Sequence, residues 1–308
     1  MNLSPVIEQF NFNDFDCYSD FTKQANLECS QISKGVFEGS LTQVITPNVI
    51  LSHHQMNQKI IQEGTGLKNY LTFLIPGNFY QDFIWRNIRF KGNTIGILRG
   101  GMEHFCISQS NFVGIPVSIK QEYLNKLALD LGHPNFIDDI NQEEYFHISE
   151  RSAKILQFWV LHICQSQMLN EHLISYEVPK MIISSIIKSE KKRDLRFKAN
   201  NRTFKRAKDL IHNEPEDCHT VKELCNRLGV SERSLQYAFS ELTGVSPKKY
   251  ILFYKMNEIK RKIQSNQYNR LIDVTLAFGF WHSGQFAKDY KNLFGKLPSQ
   301  HLRKSVQT

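Results

Sequence analysis

The 308-residue chain contains no Cys-x-x-Cys pair. Its six cysteines, Cys17, Cys29, Cys106, Cys164, Cys218 and Cys225, lie far apart, which supports neither a zinc knuckle nor a disulfide framework and predicts reduced thiols. No stretch approaches the roughly 20 apolar residues that cross a membrane, so no membrane partner is expected. Asn2, Glu8, Asn11, Asn13 and Asp14 interrupt the N-terminus where a signal peptide would be apolar, and a cytoplasmic location follows as the expectation. There is no His-x-His pair either: His53 and His54 are adjacent and should face opposite sides of a strand, while His104, His133, His147 and His162 read as surface or satisfied core residues. No spacing signature supports a nucleophile at Cys106, Cys164 or Ser52 beside His53. No metal, cofactor or catalytic residue is expected, and the chain does not read as an enzyme.

What is present is a charge asymmetry and a repeat. Residues 191–308 hold 24 Lys/Arg against 11 Asp/Glu, a net +13, while residues 1–190 carry 14 against 19, a net −5. In that basic half, Leu224, Leu228, Gly229, Val230, Leu235, Phe239, Leu242, Gly244 and Pro247 recur as Val274, Phe278, Gly279, Phe280, Phe286, Tyr290, Leu293, Gly295 and Pro298. The offset is 50 residues up to the paired Gly229 and Gly279 and 51 from Leu235 and Phe286, which places one extra residue in the second copy's turn. An apolar helix, a glycine and a second apolar helix form the layout of a helix-turn-helix that reads double-stranded DNA, and the basic charge suits that partner.

In the first copy Thr220-Val221-Lys222-Glu223 has the spacing of a capping box, Val221, Leu224, Cys225 and Leu228 supply a buried face, and Ser231 can cap the next helix. That second helix should turn Leu235, Phe239 and Leu242 inward and Arg233, Gln236, Tyr237 and Ser240 outward. The second copy should bury Val274, Phe278, Phe280, Phe286, Tyr290 and Leu293. It should present His282, Ser283, Gln285 and Lys288, with Trp281 at the helix entrance. Between the copies Lys248–Gln264 reads as one amphipathic helix with Lys255, Lys260, Arg261 and Lys262 among its apolar residues; at 1.5 Å per residue it is about 25 to 30 Å long, near the spacing of successive major-groove faces. Lys248, Lys249, Arg270 and Lys296 complete the candidate phosphate contacts with Ser231, Ser240 and His282.

Residues 200–308 resemble the DNA-binding domain of the AraC/XylS family of bacterial transcription regulators. The resemblance rests on Ile272-Asp273-Val274, Ala277-Phe278-Gly279-Phe280, Gln285-Phe286-Ala287 and Tyr290-Lys291-Asn292-Leu293-Phe294-Gly295. Gly279-Phe280-Trp281-His282, Asp289-Tyr290 and Pro298-Ser299 are also similar to a subgroup that includes ethanolamine-utilisation regulators. The resemblance implies base reading at Arg233, Gln236 and Tyr237 and at Ser283, Gly284, Gln285 and Lys288; Tyr237 replaces a frequent arginine, and Gly284 offers no side chain. It further implies an activator acting on RNA polymerase, nearby helices that make a homodimer, and a cupin-like β domain sensing a small molecule or a protein signal. Gln31-Ile32-Ser33-Lys34-Gly35 and Phe37-Glu38-Gly39 look like a strand and turn of such sensory domains.

The residues of the first half give a β-rich reading over 28–118, with short apolar runs bounded by Pro47-Asn48 and Pro76-Gly77-Asn78. A helix is expected from Lys120 to a stop at Gly132-His133-Pro134. A second, over Ser149–Leu169, should have Ile155, Leu156, Trp159, Val160 and Ile163 on its apolar face and Lys154, Gln157 and Gln165 toward water. A third should start at Pro179. Those apolar faces serve either an intramolecular core or a subunit interface. Phe73, Phe79, Tyr80, Phe83, Trp85 and Phe105 are candidates to line an apolar pocket, with structural core as the competing role. The expected fold class is α+β: a β-rich domain with C-terminal helices over 1–190, a charged linker over 191–199, and an all-α domain of two helix-turn-helix units joined by a linker helix over 200–308. Two other readings stay open: a ligand-independent regulator whose first half is a protein-interaction module, and an enzyme or redox sensor fused to a DNA anchor.

Overall fold

The stretch Val49–Met56 shows why the first half forms sheets. Val49, Leu51 and His53 alternate with Ile50, Ser52, His54 and Met56, so one face enters a helix-covered core and the other lines a cavity. The structure, a computed structural model, describes residues 4–166, 169–189, 198–217, 220–265 and 270–302, with the side chains of 198–201 and 302 excepted. Cys218 and positions 191–197 of the expected linker lie outside the described residues. The chain divides into two units, one β-rich and one helical, and residues 30–37 belong to the helical one. The fold class is α+β.

The β-rich unit begins with β1 (Val6–Phe12), α1 (Phe15–Lys23) and β2 (Leu27–Gln31), followed by β3 (Gly39–Ile45), β4 (Val49–Met56), β5 (Ile60–Thr65) and β6 (Tyr70–Leu74). Then come β7 (Phe83–Trp85), β8 (Ile88–Phe90), β9 (Thr94–Arg99), β10 (Glu103–Ile107), β11 (Phe112–Gly114) and β12 (Val117–Lys120). The helices α2 (Gln121–Asp130) and α3 (Phe136–Asn141), the strand β13 (Tyr145–His147) and the helices α4 (Glu150–Gln165) and α5 (Val178–Ile187) complete it, with a π-helical turn at Leu173–Glu177 leading into α5. One sheet has the order β1-β3-β4-β12-β6-β9-β13 with β11 also on β4, and the other runs β2-β5-β10-β7-β8. Helices α2, α4 and α5 bury Leu124, Leu127, Leu156, Val160, Ile182 and Ile186 against Leu51, Phe73, Ile97 and Val117 of the larger sheet.

Two side chains of α4 depart from the periodicity. Gln157 is buried rather than facing water, because its Nε2 donates to the carbonyls of Pro76 and Gly92, 2.9 Å away in both cases. Ile155, expected on the inward face, is 42% exposed beside Phe158 at 60% and a half-buried Trp159, so α4 turns an apolar edge outward. Of the six aromatics proposed for a pocket, Phe83 alone lines the cavity between the two sheets, while Phe73 and Trp85 are core and Tyr80 is exposed.

The helical unit consists of α6 (Lys198–Asn213), α7 (Val221–Leu228), α8 (Glu232–Thr243), α9 (Pro247–Gln264), α10 (Leu271–Ala277), α11 (Ser283–Phe294) and α12 (Pro298–Leu302). The pairs α7–α8 and α10–α11 are the two repeats, and α9 packs against α8, α10 and α12. Each repeat has its own aromatic core: Phe204 from α6 meets Phe239 and Tyr250 edge-on at 5.0 and 5.9 Å, and Phe286, Tyr290 and Phe294 follow one another at 5.5 and 4.7 Å. Lys255 and Lys260 of α9 are buried, unlike the lysines of a simple amphipathic helix. Lys255 donates to the carbonyls of Asp217 and Phe278 at 2.6 and 3.1 Å, and Lys260 lies over the Phe294 ring at 4.4 Å.

Residues 30–37 form a strap on this unit. The Asn257 side chain, 2% exposed, accepts from the Gln31 N–H at 3.1 Å and donates to the Gln31 carbonyl at 2.9 Å, pairing with that residue as a neighbouring strand would. Gln31 Nε2 in turn reaches the Leu293 carbonyl at 2.7 Å, and Gly35 N donates to the carbonyls of Asn292 and Leu293, capping the end of α11. Gly295, at φ +75°, closes that helix, and a Cβ there would fall 2.4 Å from Val36 Cγ2.

Candidate nucleic-acid interface and ligand cavity

Both reading helices are set by the same local chemistry. The Thr220 hydroxyl accepts from Glu223 N while the Glu223 carboxylate accepts from Thr220 N, so the expected capping box starts α7. Gly229 takes φ +66° and Gly279 φ +81°, and each lets the following amide bond the carbonyl five residues back, Val230 to Cys225 at 3.1 Å and Phe280 to Thr275 at 2.9 Å. The Ser231 hydroxyl then accepts from Ser234 N to cap α8, while His282 opens α11 without a side-chain cap. The extra residue of the second copy falls in the turn that contains Trp281, which is 72% exposed.

From these starts Arg233, Gln236, Tyr237 and Ser240 stand along the outer face of α8 at three- and four-residue intervals, all exposed. On α11 the exposed set is Ser283, Gly284, Gln285 and Lys288, with His282 just before the helix. Nothing lies within 4 Å of where a Gly284 Cβ would sit, so the backbone there is open to close approach. Lys248, Lys249 and Arg270 are exposed and Lys296 is half-buried. Two buried expectations are only partly met, since Val221 and Phe280 are half-buried at the edges of their cores.

The two glutamines are held along their own helices, a feature the outward-facing pattern did not include. Gln236 Nε2 donates to Ser240 Oγ at 2.9 Å and Gln285 Nε2 to the Asp289 carboxylate at 2.7 Å. Each pair spans four residues, so the signal is present in the sequence as a polar residue one turn beyond each glutamine. In both, the amide oxygen and the second amide hydrogen remain to meet a base edge.

In the β-rich unit, a cavity of about 180 Å³ lies between the two sheets and is lined by Leu41, Ile50, His54, Leu98, His104 and Phe112 among others. Its lining includes no Lys, Arg, Asp or Glu. Burial holds His104 at about 4, and burial with His53 beside it holds His54 at about 4, so both rings are neutral at pH 7. Burial also pushes the Cys106 thiol up, which keeps it neutral.

Two helix-glycine-helix units on a basic all-helical domain define a helix-turn-helix protein. A family described as a helix-turn-helix domain matches residues 224–304. The XylDLEGF operon transcriptional activator 1 of Pseudomonas putida is 31% identical over 110 residues, covering 35% of this chain and 33% of its own length. The XylDLEGF operon transcriptional activator 2 of the same organism is 31% identical over 108 residues, 34% of this chain and 69% of its own. Among solved structures the AraC-like transcriptional activator CuxR aligns over 83% of this chain and 96% of its own, at 14% identity and a TM-score of 0.43. The chain belongs to the AraC/XylS family of transcription regulators. It spans about a third of the length of the first of these relatives.

Among the described residues no helix is long and apolar enough to cross a membrane.

Proposed function

We propose that the chain is a sequence-specific, DNA-binding transcriptional regulator, an activator whose output depends on a signal taken up by a sensory and dimerisation domain over residues 1–190. The observation that carries the reading is the pair of exposed faces on α8 and α11, joined by one helix in a region with 24 Lys/Arg against 11 Asp/Glu. Arg233, Gln236, Tyr237, Ser283, Gln285 and Lys288 read base edges, with Tyr237 packing on a sugar or a thymine methyl group. Ser231, Ser240, Lys248, Lys249, Arg270, His282 and Lys296 hold phosphates and set the register. The 18 residues of α9 amount to about 27 Å of helix, a length that suits two reading helices on one face of a slightly bent duplex.

The outward apolar edge of α4, with Ile155, Phe158 and Trp159, serves a homodimer, and RNA polymerase is the partner at the promoter. The likeness of Gly279-Phe280-Trp281-His282, Phe286-Ala287, Asp289-Tyr290 and Pro298-Ser299 to regulators of ethanolamine utilisation supports a place for the second unit in that subgroup. The same α4 edge supports a second reading, in which the first half is a protein-interaction module and the regulator needs no ligand. Selection of binding sites from random duplex DNA, with and without a metabolite extract, tests both. An asymmetric motif about two helical turns long, sharpened by the extract, is expected. Enrichment indifferent to the extract selects the second reading, and no enrichment overturns the assignment.

A further inference from the structure

The lining of the cavity between the sheets includes a buried polar atom that no hydrogen bond answers, His104 Nε2. His104 Nδ1 accepts a hydrogen bond from Trp85 Nε1 at 3.3 Å, and an indole nitrogen can only donate. The neutral ring must therefore carry its proton on Nε2, and that atom is buried with no hydrogen-bond partner. Trp85 does not line the cavity and His104 does, so with Nδ1 taken by Trp85 the Nε2–H is the ring donor left to answer a guest there. Several other polar lining groups are answered within the protein: Thr72 pairs with Ser118 at 2.8 Å, Gln43 with Ser52 at 3.2 Å, and Gln62 with Tyr18 at 3.0 Å. A buried donor left unmade is costly, and the rest of the lining is mostly apolar.

We infer that this cavity takes an uncharged, mostly apolar molecule, about one aromatic ring in size, whose single oxygen acceptor receives the His104 Nε2–H bond. The inference rests on the proposed reading that the β-rich half takes up a small-molecule signal. Size follows from volume: an apolar cavity of about 150 Å³ holds benzene, and this one, at about 180 Å³, adds room for a small carbonyl, ether or hydroxyl substituent. Charge follows from the lining. A carboxylate would be buried with no cation to pair with and two neutral histidines as its only titratable nitrogen neighbours, which costs orders of magnitude in affinity.

Three probes of similar shape test this on the full chain by ligand-observed NMR and calorimetry: acetophenone, cumene and benzoate. Acetophenone should bind at least about tenfold tighter than cumene, one hydrogen bond to an otherwise unsatisfied donor, and benzoate should bind weakest. In His104→Phe the acetophenone advantage should vanish while cumene still binds. Because that variant also strands the Trp85 indole N–H, Ser52→Phe provides a second arm: it leaves the Trp85–His104 pair intact, fills the cavity, and should exclude both neutral probes. Benzoate binding as tightly as acetophenone, and losing that binding in Ser52→Phe, would overturn the ligand class while leaving ligand sensing intact. No binding of any probe at millimolar concentration overturns the inference outright, and the DNA selection above then shows separately whether the regulator reading survives.

Discussion

Replacing Asn257 with leucine should release the strap of residues 30–37 from the helical unit. The substitution keeps the volume of a buried side chain and removes both bonds to the Gln31 backbone, the 3.1 Å acceptance from its N–H and the 2.9 Å donation to its carbonyl. Each buried backbone group left unpaired costs about 1 to 3 kcal/mol, so docking of the strap should weaken by roughly 2 to 4 kcal/mol once partial relaxation is allowed. Undocking returns both groups to water, so the whole penalty bears on the docked state. Lys34 is exposed at the middle of the strap and provides the readout, since trypsin needs an extended segment around its target and cleaves in proportion to the opened population when reclosing is fast. At about 1.4 kcal/mol per tenfold, cleavage after Lys34 should rise by roughly 30-fold or more. The remaining ties, Gln31 Nε2 to Leu293 O and the Arg261 guanidinium to Ser30 Oγ at 2.7 Å, set how far above that floor the rate climbs. A rise under about fivefold, with helix content unchanged by circular dichroism, would show that the Asn257 pairing is not what holds the strap.

Three further outcomes follow from the sites described. Arg233→Ala or Gln285→Ala should each cost about 1 to 3 kcal/mol on the selected sequence and relax preference at one position, whereas Lys249→Ala should weaken binding to every duplex and lower the salt slope by about 1; equal loss on selected and random DNA from all three would refute the division between base and phosphate contacts. With His104 held at about 4 by burial, the unfolded chain takes up a proton below its ordinary 6.5 that the folded ring refuses. Urea stability of the β-rich unit should therefore fall as the pH drops from about 6.5 to 4, by roughly 3 kcal/mol from this ring alone, and level off below. An equally steep fall in His104→Gln would assign the effect to other groups. Phe158→Asp places a charge on the exposed edge of α4 and should shift the protein toward monomer in sedimentation analysis, and an unchanged distribution would move the dimer contact elsewhere.

The parts of this molecule that were readable from the sequence are those whose cause is local. A capping box needs four consecutive residues, a left-handed turn needs a glycine, and an apolar stripe needs one helix, so α7, α8, α10 and α11 follow from Thr220, Gly229, Ser231, Gly279 and their neighbours, and α9 was read to within one residue of its start. His53 and His54 divided between two faces for the same reason, the two-residue period of a strand. Gln157, Lys255 and Asn257 defied their local pattern because each answers backbone carbonyls that arrive from elsewhere in the chain: Pro76 and Gly92, Asp217 and Phe278, and Gln31. The penalty for burying a polar group is cancelled only by a partner that the fold brings in, and no window of sequence contains it.

His104 sits at the junction of these two cases. Its inward direction follows from strand alternation, but the tautomer that makes it a donor is set by Trp85, 19 residues earlier and one strand away. That non-local bond leaves the buried Nε2–H without a partner, so the chemical choice of ligand is decided by the contact of the ring with Trp85, which does not line the cavity. Substitution of Trp85 by phenylalanine should then loosen ligand choice without touching the cavity wall, because an imidazole freed of its donor can switch tautomer and accept as well as donate. Phenol, which donates, should gain on acetophenone in that variant, and an unchanged ratio of the two affinities would mean that something other than Trp85 sets the proton.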